Sequence, residues 1–448
     1  MPIDLASALS AIDRATAPRV AGRVTELTGL VIRATAPGAR TGELVLIERA
    51  QGGVVRAEVV GFQGEEVLLL PLGTGDGLGP DSVVRPTGQP FSIRCGDALL
   101  GRVLDALGEP LDGQGPLPTE GMVLQPVERA APNPLERRRI DRVFSTGIAA
   151  IDGLLTLGEG QRIGLFSGPG LGKSTLLGQI AEQAAADVLV VGLVGERGRE
   201  VRDFLEGQLD EPTRRRAVCV CATSDAPPLL RLKSALAATT IAEHFAEQGR
   251  SVLLVLDSLT RVARAQREVG LAAGEPPTRH GYPPSVFAML PRLLERAGHG
   301  RKAAITAIYA VLTGADDVDD PIAEEVRAIL DGHLVLSPEL AGRGHWPAID
   351  VVRSLSRIMD QLVDAPHRLA ALRMRGLLAT YERQRELIML GAYRPGSDPL
   401  TDQAIAAQPL IEGFLRQARG DRFTFDDSKR RLLDLLPAAS PTEKRRHG

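Results

Sequence analysis

At 448 residues the chain is too long for one compact core, so two or three domains are expected. Its composition, 44% hydrophobic and 24% charged, is that of a folded globular protein. A formal net charge of -3 excludes any overall pull toward nucleic acid or anionic membrane, and the basic triplets Arg137–Arg139 and Arg214–Arg216 read as solvated faces.

In chain order, residues 3–14 place Leu5, Leu9 and Ile12 at helical spacing, predicting a short amphipathic helix. From Val24 to about Cys95 short β-rich runs, such as Glu43 to Ile47 and Glu66 to Leu70, are separated by glycine turns such as Gly73 to Gly77; this predicts a small β-barrel. Gly101 to Gly113 leads into a proline-rich connector ending near Pro134. From about Ile140 to Leu336 apolar runs alternate with helical segments, the pattern of a mostly parallel sheet covered by helices. Candidate strands are Val188–Val194, Ala217–Cys221, Val252–Leu256 and Ala303–Ala310. After Pro366 the strands stop and Leu369, Leu372, Leu377, Tyr381 and Ile388 recur at helical spacing, with further helices near 401–417 and 427–436. The expected division is 1–95 for the terminal helix and barrel, 96–366 for connector and α/β domain, and 367–448 for a C-terminal helical domain.

Three cysteines occur in the whole chain, and Cys219 and Cys221 share one face of a predicted strand. Buried free thiols in a reducing cytosol are the reading, with no spacing to histidine that suggests zinc. No basic stretch followed by an apolar core opens the sequence and no apolar run reaches membrane-spanning length, so any membrane association is expected to be peripheral.

The stretch Ser167-Gly168-Pro169-Gly170-Leu171-Gly172-Lys173-Ser174-Thr175 lies between the apolar run Arg162 to Phe166 and a helix-forming run, Leu176 to Ala186. Strand, glycine-rich loop and helix are the context of a phosphate-binding loop: glycines let successive N–H groups turn toward an anion, and the helix N-terminus adds its positive end. Ser167 stands where the G-x-x-x-x-G-K-[ST] pattern has its first glycine. Lys173 would reach the β- and γ-phosphates of ATP and Ser174 would offer its hydroxyl to Mg²⁺. Asp257 closes the apolar run Val252 to Leu256, a position suited to holding Mg²⁺ at a strand end. Glu196, after the run Val188 to Val194, is placed to orient an attacking water, with Arg197 beside the γ-phosphate.

These motifs, with Asp257-Ser258-Leu259-Thr260-Arg261, Gly274-Glu275-Pro276-Pro277, Gly281 to Phe287, Pro347 to Asp350 and Ser354-Leu355-Ser356-Arg357, resemble the type III protein-export ATPases, relatives of the catalytic subunit of rotary ATP synthases. The resemblance covers nearly the whole chain. It implies an N-terminal β-barrel, a RecA-like P-loop NTPase domain and a C-terminal helical domain, assembled as a homohexameric ring with ATP between neighbours. It assigns Lys173 and Ser174 to phosphate and Mg²⁺, Glu196 to water activation, Asp257 to the strand-end acid, Arg197 and Arg261 to the pocket, and Arg357 to an arginine finger reaching the adjacent subunit. Trp346 falls where an aromatic ring lies against adenine. The implied partners are stator-like and central-stalk-like export proteins, the export gate, chaperones and export substrates, at the cytoplasmic side of the inner membrane.

Within that family, Gly391 to Pro399, with Ala392 where injectisome enzymes more often carry an acid, resembles the flagellar export ATPases. An injectisome enzyme is the alternative. A rotary synthase catalytic subunit fits the helical domain less well, and a regulatory subunit that binds without turnover lacks the acid that Glu196 supplies. An RNA-translocating ring is disfavoured by 3% aromatic residues and a barrel without an aromatic-rich basic stripe, so no nucleic-acid partner is expected.

Overall fold

The computed structural model describes residues 20–314 and 320–435; the helix expected at 3–14 lies outside them. The chain forms two compact units, the first running to Ser92 and including Glu268–Pro276, the second comprising Ile93–Arg267 and Pro277 onward.

The first unit contains a closed six-stranded barrel of β1 (Gly22–Thr28), β2 (Val31–Ala34), β3 (Glu43–Glu48), β4 (Val54–Gln63), β5 (Glu66–Pro71) and β6 (Val83–Pro90), in the order β1-β2-β5-β4-β3-β6. Alternation places Val45 and Ile47 of β3 inside, with Ile32, Val55, Val59, Leu69 and Val84, while the intervening side chains face outward. Closure leaves no unpaired edge, because β1 also pairs with β6.

The second unit is built on β7 (Val103–Asp105), β8 (Arg162–Ser167), β9 (Val188–Glu196), β10 (Ala217–Thr223), β11 (Val252–Asp257), β12 (Ala304–Leu312), β13 (Gly332–Val335) and β14 (Leu355–Ser356), in the order β14-β13-β8-β12-β11-β9-β10-β7. All these pairings are parallel except the β13–β14 edge. Strands β9 and β11 are buried along their whole lengths, which is why they read as unbroken apolar runs rather than alternating ones. The Gly101 to Gly113 segment, in which the sequence pattern marks no strand, supplies the edge strand β7, which pairs with Cys219 to Cys221. Three residues between tight turns are too short to show a period.

Helix α1 (Lys173–Gln183) follows β8, α2 (Gly198–Gly207) follows β9, and α3 (Pro228–Glu247) lies against β9 and β10. The C-terminal segment consists of α4 (Ala365–Met389), α5 (Pro399–Leu415) and α6 (Phe425–Leu435). Its Met374, Leu377, Phe414 and Leu432 belong to the same apolar cluster as Ile148, Ile151 and Leu154 and the strand residues Leu165 and Val191. The helices after Pro366 therefore share a core with the α/β sheet. Gly153 is required at this junction, since a Cβ there would stand 2.7 Å from the Phe414 ring. Cys219 and Cys221 are free and buried, and burial pushes the Cys221 thiol up to about 12.

Candidate active site

Strands β8, β9 and β11 run in the same direction, so the loop after β8, Glu196 at the end of β9 and Asp257 at the end of β11 meet at one edge of the sheet. Gly170 and Gly172 carry φ of 75° and 78°, a backbone region that disfavours side chains, and Lys173 opens α1 immediately afterwards. Ser167 is wholly buried at the end of β8. The serine in place of glycine is thus accommodated in the strand, and the turning is left to Gly170 and Gly172.

Lys173 Nζ donates to Asp257 Oδ1 and lies 3.8 Å from Glu196 Oε1. One ammonium therefore stands between two carboxylates that are each under a tenth exposed, an arrangement that offsets their desolvation and leaves the lysine beside the phosphate loop.

Glu196 reaches its place through an irregularity. Pairing of β9 with β10 slips between Val194 and Glu196, at Gly195, whose φ is 69°. The bulge re-aims the following side chain toward the site. Gly195 is also the point of closest approach for Arg261: a Cβ there would stand 2.9 Å from Arg261 Cδ. Arg261 Nη1 donates to the Gly195 carbonyl and sits 2.8 Å from Glu196 Oε2. Burial raises the Glu196 carboxyl to about 7, reinforced by the negative charge of Asp257 and a hydrogen bond with Glu200 and opposed by Lys173 and Arg261. A carboxyl poised near neutrality can accept a proton from water at working pH.

Arg197 takes a different position from the one its sequence neighbours suggest. It precedes α2 with its side chain 75% exposed and ion-paired with Glu200 at 3.6 Å, so of the two expected pocket arginines only Arg261 reaches Glu196.

Beside the loop, Trp346 leans on Gly172, where a Cβ would come within 2.8 Å of the indole. Gly170, Leu171, Thr175, Gln179, Trp346, and Gln417 to Arg419 surround a cavity of about 420 Å³, of the size that holds a small organic ligand. The contribution of residues 417–419 has no local motif and was not read from the sequence. Its one signal is the polar Gln417 just after the apolar end of α5.

Arg357 lies outside this cluster. It follows β14, which pairs with the first residues of β13, whereas the phosphate loop follows the last residue of β8. Exposed to solvent, it donates through Nη2 to the Arg327 carbonyl at 3.1 Å and through its backbone N–H to the Asp331 carbonyl at 3.0 Å. Asp331 is held by the Arg162 guanidinium at 3.0 and 3.2 Å.

Comparison with known proteins agrees with this arrangement. The family model "ATP synthase alpha/beta family, nucleotide-binding domain" matches residues 147–356, the β-barrel domain of that family matches 24–88, and the "T3SS EscN ATPase C-terminal domain" matches 363–434. A type 3 secretion system ATPase of Sinorhizobium fredii is 52% identical over 91% of this chain and 90% of that protein. The chain belongs to the ATP synthase alpha/beta family, in its type III secretion and flagellar branch. A flagellum-specific ATP synthase of Bacillus subtilis is 47% identical, covering 92% of this chain and 94% of its own. The assembled ATPase EscN of the enteropathogenic E. coli type III secretion system superposes with a TM-score of 0.87 at 46% identity, covering 92% and 99% of the two chains. EscN in complex with its central stalk EscO gives 0.84 at 45% identity. The α/β nucleotide-binding core, the barrel and the C-terminal helices are therefore those of this family, and the protein is an ATP-hydrolysing enzyme.

Proposed function

We propose that this chain hydrolyses ATP within a homohexameric ring that assists type III export of flagellar proteins. The observation that carries the hydrolytic part is the convergence of Lys173, Asp257, Glu196 and Arg261 at the end of the phosphate-loop strand. The backbone amides around Gly170 to Lys173 and the positive end of α1 bind the phosphates, and Lys173 turns from Asp257 toward them as they arrive. Glu196 orients a water in line with the γ-phosphorus and takes its proton as the new P–O bond forms and the bond to ADP breaks. Arg261 holds Glu196 in place and keeps part of its population ionised at neutral pH.

The donor set fits Mg²⁺. Among the described residues no group of three or more His, Cys, Asp or Glu forms a metal cage, and a magnesium ion that travels with phosphates needs only the sparse oxygen ligands that Ser174 and Asp257 offer. Bound there, the ion would neutralise charge on the β- and γ-phosphates.

Arg357, remote from its own chain's loop, is the arginine finger for the next subunit, and Trp346 lines the cavity that receives adenine. A finger of this kind adds on the order of 10³ to 10⁵ in rate. The assembled form of EscN supports the ring, and its complex with EscO supports a central-stalk-like partner for this chain. Leu387, Met389 and Leu390, at the far end of α4, are 47–80% exposed and offer such a partner an apolar contact. No described helix is long and apolar enough to cross a membrane, consistent with peripheral attachment on the cytoplasmic side of an export apparatus, where stator-like proteins, the export gate, chaperones and substrates would be met.

The Gly391 to Pro399 segment with Ala392 favours the flagellar assignment. The injectisome is the second reading, favoured by the 52% identity to a secretion ATPase. The test is steady-state ATPase activity against protein concentration, followed with the mass distribution and with Glu196→Gln as control. Specific activity should climb as a hexamer appears and collapse in the variant; a monomer with concentration-independent activity would refute shared sites.

A further inference from the structure

Gln417 makes four hydrogen bonds that none of the catalytic roles uses. It follows α5 and is 4% exposed. Its Oε1 accepts the Ala149 N–H at 2.9 Å, and its Nε2 donates to the Gly147 carbonyl at 2.7 Å and the Asp421 carbonyl at 3.2 Å. Its own backbone N–H donates to the Trp346 carbonyl at 3.0 Å. Both amide donors and the acceptor are thus engaged, and two of the partners lie 268 and 270 positions away in the chain.

The neighbours of Gln417 are cavity residues. Ala418 and Arg419 line the space that Trp346 borders, and the Ala418 carbonyl receives Gln179 Nε2 of α1 at 3.5 Å. Gln183, one turn further along α1, donates to the Asp421 carbonyl at 3.3 Å. The segment 417–421, which joins α5 to α6, is therefore fastened on one side to the phosphate-loop helix and on the other to the strip that carries Trp346. Gln417 is hydrogen-bonded both to Trp346 and to the 147–149 turn.

We propose that Gln417 is a positioning residue for the nucleotide: it holds Trp346 and Ala418 as two walls of the pocket that receives the base, and so gives the C-terminal helices a hold on nucleotide affinity. A pocket whose walls are already placed spends less of the binding energy on ordering them. Without the amide, the Gly147 carbonyl and the Ala149 N–H lose their buried partner, and the loop that satisfied them is free to shift. The inference rests on the reading of this cavity as the base pocket.

The test uses the full chain and two probes, MgADP and inorganic tripolyphosphate, which engages the phosphate loop and has no base. Gln417→Ala should weaken MgADP about tenfold and raise the KM for ATP comparably, with kcat within about twofold and tripolyphosphate inhibition unchanged. Gln417→Glu, which keeps the shape and the acceptor but turns a carboxylate toward two carbonyls, should do the same and serves if the alanine variant does not fold. Trp346 is the sole tryptophan, so its emission change on adding ADP should shrink in both variants. ADP affinity unchanged, or ADP and tripolyphosphate weakened together, would overturn the proposal. Trp346→Ala separates the two levels of the claim: if it weakens neither probe, the base-pocket reading fails and the proposal with it; if it weakens ADP alone while the Gln417 variants do not, positioning by Gln417 fails on its own.

Discussion

Arg261 offers the sharpest test of how the catalytic carboxylate is tuned. Its guanidinium lies 2.8 Å from Glu196 Oε2, and its side chain is 25% exposed. At that separation the attraction between unit charges is about 1.5 kcal/mol at the dielectric of water and about fourfold larger at an effective dielectric of 20. Partial exposure argues for the screened end of that range, so removing the arginine should raise the Glu196 carboxyl by about one pH unit. The sign follows from the role. Glu196, already raised to about 7 mainly by burial, must be ionised to take a proton, so kcat/KM should be low in acid, rise through pH 7 and level off above it. In Arg261→Ala a cation that favours the ionised form is gone, and the rising limb should move to about pH 8. The assay is kcat/KM for ATP from pH 5.5 to 9.5 at constant ionic strength, because that ratio reports groups of the free enzyme. A limb that stays where it was in the parent enzyme, whatever the loss in absolute rate, would refute the pairing as the source of the tuning.

Gly172→Ala should lower nucleotide affinity without unfolding the chain, since alanine is strained at φ of 78° and its methyl would meet the indole of Trp346; about 1–2 kcal/mol of backbone cost alone corresponds to roughly 5- to 30-fold in ADP affinity by titration calorimetry. Unchanged ADP affinity would show that the loop adopts another path. Combining it with Trp346→Ala should recover the part of the loss due to the indole, and strict additivity of the two losses would contradict the contact.

The parts of this site that sequence made legible are those encoded locally. The phosphate loop announces itself because the glycines, the lysine and the helix must be contiguous, and Asp257 and Glu196 stand out because each ends a buried apolar run. Placing them together needed only the parallel sheet that the alternation of runs implied. What was not legible depends on direction or on distance along the chain. Arg197 and Arg261 both carry the pattern of pocket arginines, and only the folded chain shows that Arg261, from the helix after β11, pairs with Glu196 while Arg197 faces Glu200 and solvent. Gln417 joins segments more than 260 residues apart, and no period or spacing marks such a contact. The packing of the helices after Pro366 is a case of the same kind. Helical periodicity located α4, α5 and α6 to within two residues or so, but it could not say that their apolar faces, besides packing on one another, also close over Ile148, Ile151 and Leu154. The edge strand at Val103–Asp105 was hidden for the opposite reason, being too short to display any pattern.

The central claim is that each site is completed by a neighbour's Arg357, and mixing two inactive variants tests it most directly. Arg357→Ala chains keep Glu196, and Glu196→Gln chains keep Arg357. In an equimolar ring of random order about one interface in four pairs an intact Glu196 with an intact Arg357. The account predicts ATPase activity in the mixture well above the mean of the two variants alone. Mixed rings verified by mass, with no activity beyond that mean, would contradict it.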